Sequence, residues 1–149
     1  ELELVRQYLN IQEIRFEDRF VCEIDVDERY QHCIVPKMVL QPLVENAIIH
    51  GVADLEEGYI KLWAEEDGGD LLLRVSDKGR GIAPEVLDRL ARHEDIPGGH
   101  LGLNNVDRII RLYYGEGYGL TAESGDTGSR VTLRLPMMKG DSHAKGTDR

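Results

Sequence analysis

Two pairs of alternating apolar and polar segments, each joined by a short glycine-rich turn, most constrain how this chain folds. Tyr59 to Glu66 and Leu71 to Ser76 flank the turn Asp67-Gly68-Gly69-Asp70, and a later pair flanks Gly125-Asp126-Thr127-Gly128. A period of two places apolar side chains on one face of a strand, and such turns join antiparallel neighbours. The chain is therefore predicted to build a mostly antiparallel sheet with one buried face.

Helical and strand patterns elsewhere complete a two-layer arrangement. The other predicted elements are a helix over residues 1–17 with Phe16 on its apolar stripe, a strand over 20–26, a buried helix from Pro36 to Gly51, a short helix from Pro84, a mobile loop over 92–101, a helix from near Leu103 to Gly115, and strands Gly119 to Ser124 and Arg130 to Leu135. This mixture favours an α/β (α+β) two-layer sandwich, with a mixed sheet of about five strands and helices on one face. We expect one domain over 1–136 and a disordered tail over 137–149.

The composition limits the partners of this domain. The 149 residues carry a net charge of −10, which argues against nucleic acid because phosphate neutralisation needs a basic face. No apolar run reaches the ~18–20 residues of a membrane span, and Glu1-Leu2-Glu3-Leu4 is unlike a signal peptide, so we expect a soluble domain that begins inside a larger protein. Cys22 and Cys33 fit a reduced cytoplasmic setting, and we expect neither a disulfide nor a structural metal.

A polar pair, Glu45 and Asn46, interrupts the buried helix. His50 follows Asn46 by one turn, so these two side chains share a face that we expect to look into a cleft. A carboxamide oxygen suits Mg²⁺, which proteins hold with one or two oxygens plus phosphates and water, so Asn46 is the candidate magnesium ligand. Glu45 is the candidate catalytic residue that orients a nucleophile or accepts its proton. On a helix that stood alone, both would more often be polar surface.

Asp77 ends an alternating strand and precedes a turn that contains Gly79 and Gly81. A carboxylate there accepts a hydrogen bond from the exocyclic amine of adenine and discriminates against guanine, which presents a carbonyl at that position. The two glycines let the backbone turn and approach the base closely. Asp and Gly are also common in ordinary strand-ending turns, which is the plainer interpretation of this motif alone.

Gly98, Gly99 and Gly102 precede the helix predicted from Leu103. The free N–H groups and positive dipole end of a helix N-terminus suit a phosphate chain. Asn104 either caps this helix or touches phosphate. Each motif alone is weak, but the three in this order predict an ATP site that uses Mg²⁺.

Three longer segments resemble the LytS-type branch of bacterial sensor histidine kinases: Tyr8-Leu9-Asn10-Ile11-Gln12-Glu13-Ile14-Arg15-Phe16, the run from Gln41 to Gly51, and Tyr114-Gly115-Glu116-Gly117-Tyr118-Gly119. Residues 1–136 are thus similar to the catalytic ATP-binding domain of these kinases, in the GHKL superfamily that includes gyrase-type and MutL-type ATPases. The resemblance implies a Bergerat ATP-binding fold. It also implies Asn46 as the Mg²⁺ ligand, Asp77 as the contact to the adenine amine, and Gly98 to Gly102 as part of a flexible lid.

The resemblance further implies a reaction and its partners. The γ-phosphoryl group of ATP passes to a histidine on a separate dimerisation helix, and then to the aspartate of a response regulator of LytTR type. The acceptor segment of this branch resembles Pro-His-Phe-Leu-Phe-Asn, a string that this sequence does not contain. We therefore expect this chain to bind nucleotide without autophosphorylating. The full protein is expected to be a dimeric, membrane-anchored bacterial sensor with this domain in the cytoplasm.

Three positions depart from the family pattern. Lys78 stands where Asn often follows the Asp, Ile49 where a Lys that reaches phosphate is often found, and His100 within the small-residue lid pattern. Two alternatives stay open. One is a degenerate GHKL domain that acts as a nucleotide-regulated interaction module, and the other is a serine kinase of the anti-sigma type.

Overall fold

The computed structural model describes residues 1–15, 20–52, 57–96 and 101–139. Its elements, in chain order, are α1 (Leu2–Arg15), β1 (Phe20–Asp25), a 3₁₀ turn (Glu28–Tyr30), α2 (Leu40–Asn46), a π-helical segment (Ala47–Val52), β2 (Gly58–Asp67), β3 (Asp70–Asp77), α3 (Pro84–Ala91), α4 (Leu101–Tyr114), β4 (Gly119–Gly125) and β5 (Gly128–Pro136). Within these ranges, no helix combines the length and the apolar character needed to cross a membrane.

Five strands form one mixed sheet in the order β1-β2-β3-β5-β4. Strands β2 and β3 pair antiparallel up to Asp67↔Asp70, and β4 and β5 up to Gly125↔Gly128, which confirms both predicted hairpins. Strand β3 also pairs antiparallel with β5, whereas β1 joins β2 in parallel. A parallel pair requires a long connection between its strands, and this one passes through α2. The predicted two-layer α/β class is confirmed.

The helices cover the apolar face of the sheet. Alternation along each strand sends one set of side chains into this layer and the other set outward. Burying a Leu or Ile side chain contributes about 1.5–3 kcal/mol, so this shared layer is the main source of stability. The core includes Leu62, Leu73 and Leu133 from the sheet and Leu43, Ile48 and Ile110 from the helices.

The buried helix begins later than the sequence predicted. Pro36 is not its first residue, since α2 starts at Leu40 and continues as the π-helical segment from Ala47. The reason lies between these positions, where Met38 adopts a left-handed conformation with φ of 63° that interrupts any helix from Pro36.

Three predicted boundaries lie beside residues outside the described ranges. Helix α1 ends at Arg15, and Phe16 lies outside the described residues. The loop predicted over 92–101 is described only to residue 96, and α4 already begins at Leu101. Residues 137–139 lie in the predicted tail; there the Met138 carbonyl accepts the Ile34 amide at 2.6 Å and Lys139 forms a β-bridge with Cys33. Residues 140–149 lie outside the described part of the chain.

A buried carboxylate joins α4 to the sheet edge. Asp107 is 2% exposed; its Oδ1 accepts the Leu120 amide at 2.9 Å and its Oδ2 lies 2.8 Å from His93 Nδ1. Gly119 has a φ of 124°, and a Cβ there would lie 2.4 Å from Asp107 Oδ1. Glycine is therefore required at this position both by the backbone conformation and by the close approach of Asp107.

We predict that Gly119→Ala destabilises the domain by about 2–5 kcal/mol, combining left-handed strain with damage to the buried Asp107 hydrogen bond. Gly115→Ala is the matched control, because Gly115 also has a positive φ of 106° but its added Cβ would meet no atom within 4 Å. The control should lose only about 1–2 kcal/mol. Urea unfolding of both variants measures the difference, and equal losses would contradict the role given to Asp107.

Candidate functional site

The Asp77 carboxylate at the end of β3 is enclosed by hydrogen-bond donors. It is 5% exposed; its Oδ2 accepts the Ser129 hydroxyl at 2.6 Å and its Oδ1 accepts the Gly79 amide at 2.9 Å. The Ser129 backbone amide also donates to it. Burial raises the pKa of Asp77 above its ordinary value, although these hydrogen bonds act in the opposite direction. A carboxylate that is buried despite the free-energy cost of desolvating its charge is typical of functional sites.

Three glycines bring backbone into contact with Asp77. A Cβ at Gly51 would lie 2.7 Å from the Asp77 carboxylate carbon, and one at Gly79 would lie 2.1 Å from the Gly51 carbonyl oxygen. Gly128 has a φ of 134°, and its Cβ would lie 1.9 Å from the Asp77 carbonyl oxygen. The π-helical segment, the turn after β3 and the start of β5 therefore meet only because all three positions lack a side chain.

Arg80 ties the turn after β3 to the π-helical segment. Its amide donates to the Gly51 carbonyl at 3.3 Å, and its guanidinium donates to the carbonyls of His50 at 3.3 Å and Ile49 at 3.5 Å. Carbonyls at a helix end lack partners within the helix, so the guanidinium satisfies groups that would otherwise need water. The carboxylate of Asp77 and the end of the π-helical segment are thereby held as one unit.

A cleft lies between α2, the π-helical segment and the first turn of α4. The residues that line it are Pro42, Glu45, Asn46, Ile49, His50, Gly102 and Leu103. A Cβ on Gly102 would lie 3.3 Å from Pro42 Cβ, so α4 approaches α2 closely here. The structure thus brings Asn46 and His50 to one cleft, as the sequence predicted. They are joined by a π-helical turn, a feature that occurs frequently at functional sites.

The glycine-rich segment before α4 is only partly described. Gly98, Gly99 and His100 lie outside the described residues. Because α4 begins at Leu101, Gly102 lies inside its first turn and does not precede the helix as predicted. Leu103 is 1% exposed and belongs both to the core and to the wall of the cleft.

Asn104 binds the segment before α4 instead of capping the helix. Its side-chain amide donates to Asp95 Oδ1 at 3.0 Å, and the Arg108 guanidinium donates to the same oxygen at 3.0 Å. The side chain therefore anchors the segment before α4 and does not cap the helix.

The two glycines of the turn after β3 have separate environments. Gly79 lies against Gly51 and Asp77, whereas Gly81, with a φ of 83°, has its Cβ position 2.6 Å from Ser124 Oγ on β4. The Ile82 amide also donates to Ser124 Oγ, at 2.7 Å. Of these two glycines, only Gly79 therefore contributes to the enclosure of Asp77.

Glu45 is half-buried at the edge of the cleft and has a partner on α1. The Tyr8 phenol lies close enough to the Glu45 carboxylate for that charge to act on its pKa. Burial, and then the charge of Glu45, raise the pKa of Tyr8 to about 12, so the phenol keeps its proton and remains a donor at neutral pH. Sequence reasoning assigned no role to Tyr8, Ser129 or Arg80. Each acts on a distant part of the chain, and Ser129 is 52 positions from Asp77.

The donor set at the cleft fits a magnesium ion that arrives with phosphate. In the described ranges, no three His, Cys, Asp or Glu side chains gather in a way that would hold a metal ion. Asn46 is 8% exposed and offers a carboxamide oxygen at the cleft. Mg²⁺ commonly takes one or two protein oxygens and completes its shell with phosphate and water. One amide ligand beside a helix N-terminus is consistent with that mode of binding.

Sequence comparison finds a family and relatives of known type. The family model described as histidine kinase-, DNA gyrase B-, and HSP90-like ATPase matches residues 34–139. The sensor histidine kinase YpdA of Escherichia coli strain K12 is 35% identical over 140 residues, covering 93% of this chain and 24% of YpdA. The sensor protein LytS of Staphylococcus haemolyticus is 32% identical over 139 residues, covering 91% and 24%. The chain therefore spans about a quarter of the length of these curated relatives.

Structural comparison agrees on the fold. The catalytic domain of histidine kinase ThkA, in a nucleotide-free form, matches with a TM-score of 0.66 at 21% identity, covering 93% of this chain and 94% of that chain. ThkA in complex with the response regulator protein TrrA matches with a TM-score of 0.64 at 19% identity, covering 92% and 39%. The arrangement of helices and strands is that of a histidine kinase catalytic domain, which confirms the predicted Bergerat-type fold.

We predict that Asp77→Asn leaves the domain at least as stable as the wild type at pH 7, because it removes a buried charge and keeps an acceptor oxygen. A carboxyl whose pKa is raised by folding holds its proton more tightly in the folded state. The wild type therefore loses stability as the pH rises from the ordinary value of 3.8 through the folded pKa.

Urea unfolding across this pH range checks the prediction. Asp126→Asn, on the exposed β4–β5 turn, controls for the change in net charge. The Asp77→Asn variant should show a smaller loss of stability with rising pH than either the control or the wild type. A variant that is much less stable than the wild type at pH 7 would show that Asp77 stabilises the fold instead of costing it stability.

Proposed function

The chain belongs to the family of histidine kinase-, DNA gyrase B- and HSP90-like ATPases, and on that premise we propose that it is the ATP-binding catalytic domain of a two-component sensor histidine kinase. Its LytS and YpdA relatives support this assignment. The observation that carries it is the enclosed carboxylate of Asp77, which is buried against Gly51 and Gly79 beside the cleft that contains Asn46.

Asp77 is the proposed contact to adenine. An ionised carboxylate has about four acceptor positions, and three are used by the Ser129 hydroxyl, the Ser129 amide and the Gly79 amide. The remaining capacity suits the exocyclic amine of adenine. Guanine presents a carbonyl oxygen there, which a carboxylate repels, so the same group supplies discrimination.

The cleft between α2 and α4 is the proposed phosphate site. The N-terminal turn of α4 offers backbone N–H groups and the positive end of the helix dipole. Gly98 and Gly99, which the sequence assigns to the same phosphate site, lie outside the described residues. Asn46 would hold Mg²⁺ together with phosphate oxygens and water. The bound ion supplies positive charge to the phosphates, which a chain of net charge −10 needs at an anion site.

Glu45 is the proposed residue that orients the attacking group. Its carboxylate lies at the edge of the cleft, near the Tyr8 phenol. In phosphoryl transfer a protein contributes mainly positioning and charge stabilisation. An imidazole nitrogen of the acceptor attacks the γ-phosphorus, the bond to the bridging oxygen breaks, and ADP leaves. Glu45 would align that imidazole or take its proton.

The acceptor and the regulator are proposed to lie outside this chain. Among the described histidines, His93 pairs with the buried Asp107 and His50 lines the nucleotide cleft, and we assign neither these nor the exposed His32 as the acceptor. We assign the acceptor to a dimerisation helix of the full protein, a membrane-anchored sensor, and the next carrier to a response regulator of LytTR type. The complex of ThkA with a response regulator supports that partner class.

Calorimetric titration of this chain with a non-hydrolysable ATP analogue tests the proposal. We predict binding that Mg²⁺ strengthens, and no detectable binding of the matching GTP analogue. Asp77→Asn should weaken ATP-analogue binding roughly 10- to 150-fold, because a hydrogen bond to a charged group contributes about 1.5–3 kcal/mol.

Asp126→Asn, which makes the same chemical change on an exposed turn, should bind as the wild type does. Equal affinity for the ATP and GTP analogues would refute the adenine assignment. No binding by folded wild type would refute nucleotide binding by this chain alone and favour the degenerate GHKL module.

A further inference from the structure

Helix α1 carries apolar side chains on two opposite faces. Val5 and Leu9 are buried in the domain, at 0% and 4% exposure, whereas Leu4, Ile11 and Ile14 are 46%, 63% and 80% exposed. At about 100° of rotation per residue, the three exposed side chains share a stripe that lies roughly opposite the buried face. Single exposed apolar residues are common, but three on one stripe of a short helix indicate a surface that binds a partner.

The spacing of this stripe is that of a coiled-coil seam. Leu4, Gln7, Ile11 and Ile14 follow one another at intervals of three, four and three, and Gln7 is exposed like its apolar neighbours. Such intervals are the a and d positions of the heptad repeat, and the 14 residues of α1 amount to two heptads. We call these four residues the α1 seam. Its period fits another helix as the occupant, since a strand or a loop does not match it.

The polar residue of the seam favours a second copy of this chain as that helix. In a parallel pair of identical helices each seam position faces the same position of the other copy, so the two Gln7 amides meet and hydrogen-bond each other. An apolar helix, or an antiparallel pair that sets Gln7 against Ile11, would bury the amide without a partner, which is unfavourable. A single polar position of this kind is a known device for fixing the register and direction of paired helices.

The surroundings of the seam are compatible with a parallel pair. The flanking positions would set Glu3 beside Tyr8 and Asn10 beside Arg15, so no like charges would face each other across the pair. The described lining of the nucleotide cleft, between α2 and α4, contains no residue of α1. The seam and the cleft are therefore separate surfaces.

We propose that the α1 seam is a self-association surface, on which a second copy of this chain docks through parallel, two-fold pairing of the two α1 helices. The inference goes beyond the proposed function, because it does not depend on nucleotide binding. Two heptads supply fewer than the roughly 20–30 residues a side of a stable interface, and the net charge of −10 on each copy opposes pairing. The association is therefore weak between separate chains, and it is strengthened where two copies are already held together, as in the dimeric full protein proposed above.

Sedimentation equilibrium of this chain at concentrations up to about 1 mM, in about 0.5 M NaCl to screen the charge repulsion, tests the proposal. We expect a monomer–dimer equilibrium with a Kd between roughly 100 µM and 1 mM, in the weak range of small interfaces. Ile14→Asp places a charge in the seam, where pairing would remove it from water, and should weaken the association at least about tenfold.

Leu112→Asp is the matched control. Leu112 is 78% exposed, close to the 80% of Ile14, but it lies on α4 and outside the seam. This variant gains the same charge and should dimerise as the wild type does, and thermal unfolding checks that every variant is folded. A wild type that stays monomeric at about 1 mM overturns the proposal and leaves the seam to a different helix. Equal weakening by the two variants also overturns it, because any added charge would then suffice.

Cysteine cross-linking tests the parallel register. In a parallel pair, Ile11→Cys sets two thiols opposite each other at a separation that a disulfide spans. Oxidised glutathione should convert this variant to a covalent dimer about tenfold faster or more than Leu112→Cys, because pairing raises the local thiol concentration. The wild type is the blank, since burial raises the pKa of Cys22 to about 12 and that of Cys33 above its ordinary value, which keeps both thiols unreactive. Equal rates for the two variants would contradict parallel pairing.

Calorimetric titration with the ATP analogue and Mg²⁺ separates this inference from the proposed function. Ile14→Asp should bind the analogue as the wild type does, because the seam does not line the cleft. If the wild type binds the analogue but does not dimerise, only the role of the seam fails. If it dimerises through the seam but binds no nucleotide, only the proposed function fails.

Discussion

The close approach of backbone around Asp77 is the constraint on which the rest of the site depends. Its carboxylate is fixed by Ser129 and Gly79, and the π-helical segment can lie against it only because Gly51 has no side chain. Gly128 brings the start of β5 equally close. The last residue of one strand thus sets the position of the helical segment that forms a wall of the cleft. A larger side chain at Gly51, or a change of side chain at Asp77, is therefore expected to displace both the carboxylate and the π-helical segment.

The site is built from contacts that are short-range and contacts that are long-range along the chain, and only the short-range ones can be predicted from sequence. Both hairpins were predictable because alternation and turn chemistry lie within a few residues of each other. Asp77 was predictable for the same reason, since it ends one of those strands before a glycine turn. Its partner Ser129 was not, because it belongs to a strand 52 positions away and a serine in a strand has no distinctive pattern. The register of β3 with β5, which pairs Asp77 with Ser129, is a tertiary fact.

The errors in the helical layer have the same origin. Pro36 has the local signature of a helix start, but Met38 adopts a left-handed conformation and the cap of α2 comes from Glu1, which no local pattern encodes. Beyond residue 136, Lys139 forms a bridge with Cys33, a contact with a distant part of the chain that no local pattern indicates. Local propensity identified which elements exist, and long-range contacts decided where they begin and what they touch.

The lack of basic side chains in the described lining of the cleft explains why phosphate binding is expected to depend on the alignment of α2. Ile49 is 46% exposed at the cleft, and the described lining contains no lysine or arginine. In the proposed phosphate site, attraction would then come from backbone N–H groups at the start of α4 and from a magnesium ion held by Asn46. Both are directional, because an amide donor or a metal ligand contributes only in the right geometry, whereas a flexible lysine tolerates displacement. A site of this kind depends on the placement of α2 and α4. At the start of α2, the Glu1 carboxylate accepts the Met38 and Leu40 amides and so contributes to that placement.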